Sequence, residues 1–214
     1  MEFEKFGSLT RFSQGWTISE KLDGSNGQIG ITQIDPNKPL LDPTATAIVR
    51  LTDDDWYAIY AGSRKRWLQP GKSTDNFGFA GWVKENAKEL VEKLGPGRHF
   101  GEWYGGKIQR GYGLTKKRFA LFNAGRWLNN PDKPECCEVV HTFVLDEYLD
   151  NPMSAAQGIM AMMSDKGSFH VPGFMDPEGI VLFHRKSGTS FKKTFDYDEK
   201  GKWAQQLDNR QRNA

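Results

Sequence analysis

One stretch limits the possible folds more than any other: Trp16-Thr17-Ile18-Ser19-Glu20-Lys21-Leu22-Asp23-Gly24-Ser25-Asn26-Gly27. Apolar side chains recur through it until a cluster of turn-forming residues interrupts them. Gly15–Ile34 therefore reads as a hairpin. A strand carries Trp16, Ile18 and Lys21, a tight turn follows at Asp23-Gly24-Ser25-Asn26-Gly27, and Gln28–Ile34 returns. Such a turn leaves one lysine fixed at a strand end.

The rest of the chain mixes helix and strand without the alternation of a parallel sheet, so the fold class is α+β. Ala45–Leu51 predicts a short strand, and Asp53–Gly62 leads into another that carries Ala61-Gly62-Ser63-Arg64. Phe79, Trp82, Val83, Ala87, Leu90, Val91 and Leu94 recur at helical spacing. Thr74 or Asp75 can cap that helix, and Gly95-Pro96-Gly97 ends it. His99–Tyr104 and Arg118–Phe122 read as strands. Asn151 caps a second helix with Pro152 at its first position, running through Met163, and its cluster Met153, Met160, Met162 and Met163 reads as core filler. Gly179–His184 and Thr189–Phe195 form a last hairpin. At 214 residues, with no repeat and no low-complexity linker, one domain over 1–214 is expected.

The two cysteines, Cys136 and Cys137, are adjacent and have no others to pair with, which excludes a disulfide framework and suits a reducing, cytoplasmic setting. No apolar run approaches the ~20 residues of a membrane span, and Met1–Phe12 lacks the apolar core of a signal peptide. Net charge is only +2, but its distribution is uneven. Lys107, Arg110, Lys116, Lys117 and Arg118 lie together with no acid among them, as do Arg64, Lys65, Arg66 and Lys72. Interleaved with Trp67, Tyr104 and Tyr112, these stretches suit a phosphate-rich partner.

Six fragments bear on chemistry. Lys21 stands in Lys21-Leu22-Asp23-Gly24, where a positioned amine could attack phosphorus if cations and shielding from water free it of its proton. Glu102 lies in Gly101-Glu102-Trp103-Tyr104-Gly105-Gly106, before glycines that let a ligand approach the backbone. In Phe119-Ala120-Leu121-Phe122-Asn123 either phenylalanine could stack on a base, and Phe122 is favoured. Glu178, before an apolar strand, suits a divalent metal. Lys192 and Lys193 point to opposite faces of the last strand, so only one can reach a phosphate that Lys21 attacks. Ser63-Arg64-Lys65-Arg66 offers a guanidinium for a phosphate or ribose.

In their order along the chain, from about Gly15 to Phe195, these fragments resemble the covalent nucleotidyltransferase superfamily, and within it the ATP-dependent RNA ligases of the second phage type. The resemblance implies an adenylation domain of two antiparallel sheets with flanking helices around a nucleotide cleft. It also implies ATP as donor, Mg2+ or Mn2+, and joining of 3′-hydroxyl and 5′-phosphate RNA ends, in nicked duplex or RNA–DNA hybrid, by a monomer of phage-like type. Lys21 would carry AMP, aided by Lys192 or Lys193. Asp23 and Gly24 complete the nucleophile motif. Glu20 would help read adenine, Asn26 touch the 5′-phosphate, Arg64 hold ribose or phosphate, Glu102 hold ribose, Phe122 stack, Glu178 bind metal and Lys192 contact the α-phosphate. Asn26 favours RNA ligases, since DNA ligases more often carry arginine there. The chain departs from the family where lysines usually alternate, because Lys192 and Lys193 are adjacent and Thr194 holds the second place. After Phe195 only Asp196–Ala214 remain, too short for an OB module. Twenty residues precede Lys21, which disfavours NAD as donor. A DNA nick ligase and a non-catalytic nucleic-acid-binding relative are the rival readings.

Overall fold

A computed structural model of the chain describes residues 1–38 and 42–196. They fall into two compact units. One comprises residues 1–21 with the segment from His141 onward, and the other is Leu22–Val140.

The first unit is built on a four-stranded sheet. Its strands are β1 (Gln14–Lys21), β9 (Thr142–Tyr148), β10 (Gly179–His184) and β11 (Thr189–Thr194), in the order β11-β10-β1-β9 and antiparallel throughout. One face of the sheet is apolar: Trp16, Ile18, Ile180 and Leu182 pack with Ala156, Ile159, Met160 and Met163 of helix α4 (Pro152–Lys166). Asn151 caps α4 as expected, its side-chain oxygen accepting from the Ser154 N–H at 3.0 Å. Only half of the methionine cluster is core, since Met153 and Met162 are exposed.

The second unit is a larger sheet backed by two helices. β2 (Ser25–Ile34), β3 (Ala47–Arg50), β4 (Trp56–Gly62), β6 (Gly97–Gly105), β7 (Lys117–Leu121) and β8 (Cys137–Val139) run in the order β3-β4-β2-β6-β7-β8, with the short β5 (Trp67–Leu68) paired to β4. All pairs are antiparallel except β7 with β8. Ile29, Ile31 and Ile59 pack beneath Phe79, Val83, Leu90, Val91 and Leu94.

The single helix expected there is two, α1 (Phe79–Glu85) and α2 (Ala87–Leu94). Between them Asn86 leaves helical geometry at φ −101°, and its side-chain amide donates to the Trp82 carbonyl at 2.8 Å. The asparagine competes for a backbone acceptor and bends the chain while the apolar spacing carries on across the break. The cap residue is Gly78 rather than Thr74 or Asp75, though the Asp75 carboxylate accepts from the first-turn N–H groups of Ala80 (2.8 Å) and Gly81 (3.0 Å). A four-residue helix, α3 (Ala124–Trp127), follows β7.

The hairpin expected over Gly15–Ile34 does not form. β1 and β2 are both strands, but β1 pairs with β9 and β10 while β2 pairs with β4 and β6. β1 is an interior strand with four consecutive buried residues, Gly15–Ile18, and such a strand needs a partner on each side. Those partners come from far along the chain. Leu22 to Gly24 are thus a crossover between two sheets, not a hairpin turn.

Candidate active site

In the first unit, Lys21 is the last residue of β1 and lies opposite Gly179, the first of β10. Its amine donates to Glu178 Oε2 at 2.6 Å, and both side chains are largely shielded from solvent. Gly179 must be glycine. A Cβ there would sit 2.2 Å from the Lys193 carbonyl oxygen, at φ +146°. This close approach of β10 to β11, with Phe195 N–H bonded to the Glu178 carbonyl at 3.1 Å, fixes Glu178 beside the strand end.

Register sets the two neighbouring lysines on opposite faces of the sheet. Thr194, Gly179 and Lys21 form one cross-strand row, Lys193, Ile180 and Glu20 the next, and Lys192, Val181 and Ser19 the third. Side chains in alternate rows share a face, so Lys192 stands on the face of Lys21. Lys193 lies on the apolar face with Glu20 and is half-buried. Two strand spacings of about 10 Å and a rise of about 7 Å separate Lys192 from Lys21, a span that two lysine side chains can close onto one phosphate.

Glu20 is buried, 1% exposed, and its carboxylate is engaged by protein donors. Oε1 accepts from Ser168 Oγ at 2.5 Å, and Oε2 accepts from the N–H groups of Phe169 (2.9 Å) and His170 (2.8 Å). A carboxylate taken out of water needs such donors. Its visible role is to lock the turn after α4 onto the strand that carries Lys21. Sequence reasoning missed Ser168, Phe169 and His170, for no local pattern marks them. His141, beside the rings of Phe143 and Phe169, has its pKa lowered by burial, with Glu20 opposing and His170 reinforcing the shift.

In the second unit, Asn26 of β2 lies directly opposite Glu102 of β6, which in turn lies opposite Ala120 of β7. The sheet's other face holds the core, so Asn26 and Glu102 share the face away from α1 and α2. Phe119 is fully buried among Phe79 and Trp82, while Phe122 is 41% exposed. Of the two, Phe119 is therefore core and Phe122 is the ring left exposed. Its N–H bonds the Phe100 carbonyl at 2.9 Å, and Phe100 is itself exposed on the Glu102 face, a residue the sequence reading passed over although strand parity marks it.

Arg64, Lys65 and Arg66 line a hollow of about 500 Å³ together with Gly24, Asn26 and Asn76. Three cations and no acid make this a place for an anion. Ser63 shapes it, its hydroxyl accepting from the N–H of Arg66 at 3.3 Å. In the other basic stretch three of the five cations have partners within the second unit. Arg110 bonds Asp23 at 3.2 Å, Arg118 bonds Glu138 at 2.9 Å, and Lys117 donates to the Phe77 carbonyl at 2.5 Å.

For a divalent ion, Glu178 would supply one carboxylate, here paired with the Lys21 amine. Among the described residues no three His, Cys, Asp or Glu side chains cluster as a protein-only cage. That donor set fits Mg2+ or Mn2+, which bind through one or two carboxylates with substrate phosphates and water completing the shell. No helix among the described residues is long and apolar enough to cross a membrane.

The sequence matches the RNA ligase family over residues 14–195, most of its length. The chain belongs to the RNA ligase family, within the nucleotidyltransferase superfamily that the ordered motifs point to. Solved structures of Naegleria gruberi RNA ligase share its fold. One with PPi has a TM-score of 0.53 at 20% identity, covering 85% of this chain and 50% of that one. A lysine-to-alanine variant with ATP and Mn scores 0.51 at 18% identity, covering 85% and 49%. A glutamate-to-alanine variant with AMP and Mn scores 0.53 at 17% identity, covering 89% and 52%. The chain spans about half the length of these ligases. No curated protein matches it by sequence.

Proposed function

We propose that this chain is an ATP-dependent RNA ligase that works through an adenylated lysine. The observation that carries the reading is Lys21 at a strand end, 2.6 Å from Glu178, with Lys192 on the same sheet face. In the first step the Lys21 amine forms a bond to the α-phosphorus of ATP as the bond to pyrophosphate breaks. AMP then passes to an RNA 5′-phosphate, which breaks the phosphorus–nitrogen bond. A 3′-hydroxyl finally displaces AMP and seals the strand.

Glu178 holds the Lys21 amine through Oε2, and a divalent ion bound to the same carboxylate would weaken that hold, so the residue that parks the nucleophile would also help to free it. When bound, Mg2+ or Mn2+ supplies charge neutralisation at the phosphates. Lys192 supplies a positive charge where charge builds on the α-phosphate. Taken by itself, the second unit offers groups of the kinds a nucleotide needs: Phe122 a ring for a base, Glu102 an acceptor for ribose hydroxyls, and Arg64 with Asn26 a setting for phosphate. Glu20 acts indirectly, by holding the Ser168–His170 turn.

The register makes a sharp prediction. Lys192→Ala is expected to slow lysine adenylylation by about 100-fold, the usual effect of removing one charge-stabilising donor. Lys193→Ala is expected to leave it within about fivefold. Quench-flow with α-labelled ATP measures both, and equal losses would contradict the face assignment. Phe122→Ala is expected to raise the KM for ATP about tenfold, the effect of losing one base-stacking platform. An unchanged KM would remove Phe122 from the site.

Substrate class is tested on nicked duplexes whose 3′-hydroxyl strand is RNA or DNA. Sealing of the RNA-terminated nick is expected, and joining of DNA ends alone would overturn the RNA assignment. We also propose that the chain behaves as one monomeric adenylation domain. The first unit draws β1 from the N-terminal end and β9, β10 and β11 from the C-terminal part, so neither terminal piece can complete its sheet alone. A single urea transition at matching midpoints by fluorescence and circular dichroism is expected; two separated transitions would refute it.

A further inference from the structure

We propose that Tyr112 and Arg110 are positioning residues for the turn that carries the nucleophile. Asp23, two residues after Lys21, is held at both its backbone and its side chain. Its N–H donates to the Tyr112 hydroxyl at 2.7 Å, and Arg110 Nε donates to its carboxylate at 3.2 Å. Both donors and acceptors are well shielded, with Arg110 15% and Asp23 28% exposed.

The loop that delivers these two side chains is shaped for the task. Tyr112 is 2% exposed and sits at φ +53° and ψ 21°, and Gln109 sits at φ +46°. A left-handed backbone in a bulky residue is unfavourable and persists only where the surroundings impose it. Here the surroundings are identifiable. The Tyr112 ring stands edge-on to Tyr104 at 5.6 Å, and the Tyr104 hydroxyl donates to Glu138, whose other oxygen is held by Arg118. Burial pushes the Tyr104 phenol pKa up, which keeps it a donor. A continuous series of contacts therefore runs from β8 and β7 through β6 to the Asp23 amide.

This assignment rests on the reading that Lys21 is adenylylated. It predicts that the hydroxyl of Tyr112 serves the placement of the turn and leaves the nucleotide face alone. Tyr112→Phe keeps the ring and removes the acceptor for the Asp23 amide. Quench-flow with α-labelled ATP and Mn2+ should show the maximal rate of protein labelling down about tenfold, the scale of a sub-ångström misplacement. The KM for ATP should stay within twofold, and sealing of RNA bearing a pre-adenylated 5′ end should fall no more than about threefold. Arg110→Ala, which leaves the buried rings in place, should give the same split. Equal loss in labelling and in sealing, a raised KM with unchanged maximal rate, or no change in labelling would each overturn the proposal. Absence of label on the unsubstituted protein would instead overturn the ligase reading itself.

Discussion

Lys21→Ala is expected to abolish covalent labelling by α-labelled ATP, with a loss of at least about 10⁴-fold, as when a covalent nucleophile is removed. Lys21→Arg makes the sharper comparison. It keeps a cation for Glu178, 2.6 Å from the native amine, yet a guanidinium stays charged and cannot attack phosphorus. Both variants should therefore fail alike in labelling, while Lys21→Arg keeps the thermal midpoint of the unsubstituted protein more closely. Sealing of a pre-adenylated RNA end should survive in both. Label retained by either variant would place the nucleophile elsewhere.

Gly24→Ala is the second large effect. A Cβ at this position would lie 2.5 Å from the Trp103 carbonyl oxygen, 2.9 Å from Tyr104 Cβ and 3.1 Å from Glu102 Cγ. The nearest of these is strand backbone, which has little room to yield. The turn must then lift from β6 by roughly 1 Å, and a displacement of that order near a reacting group costs about 100-fold in rate. Glu102 would be disturbed along with it. We expect adenylylation to fall by at least that factor while far-ultraviolet circular dichroism is unchanged. Labelling within threefold of the unsubstituted protein would mean that the close packing of Gly24 on β6 is dispensable.

The candidate site residues were more legible in the sequence than the connections that carry them. Strand and turn types were legible wherever the pattern was local. The Gly179–Thr194 hairpin, the Asn151 cap and the Gly95 stop all follow from neighbours a few positions apart. β1 was legible as a strand but not in its pairing, because its partners β9 and β10 lie more than a hundred residues on. Nothing in the Asp23–Gly27 turn tells a crossover from a hairpin. The helix break at Asn86 was hidden for a related reason, since the apolar spacing runs through it while one side-chain amide redirects the backbone.

Charge was the least legible quantity. Arg110, Lys117 and Arg118 look like a free basic stretch, yet each has a partner inside the second unit. Arg64, Lys65 and Arg66 look the same in sequence and do line an open hollow. The difference lies in which acids and carbonyls folding brings near, and a linear pattern carries no trace of that. Glu20 is a parallel case. Its place before Lys21 suggests a ligand contact, but parity puts it on the buried face, where Ser168 and two backbone amides take its oxygens. By contrast, the sheet face that Lys192 and Lys193 each take needed only the register of three strands.

The central claim concerns where a single phosphorus–nitrogen bond forms. Incubation with ATP and Mn2+, followed by denaturation, proteolysis under alkaline conditions that spare phosphoramidates and peptide mass spectrometry, reads that bond directly. One adenylate per chain on the peptide that holds Lys21 is the outcome anticipated. An adenylate on Lys192, on Lys193 or on no peptide at all would contradict it.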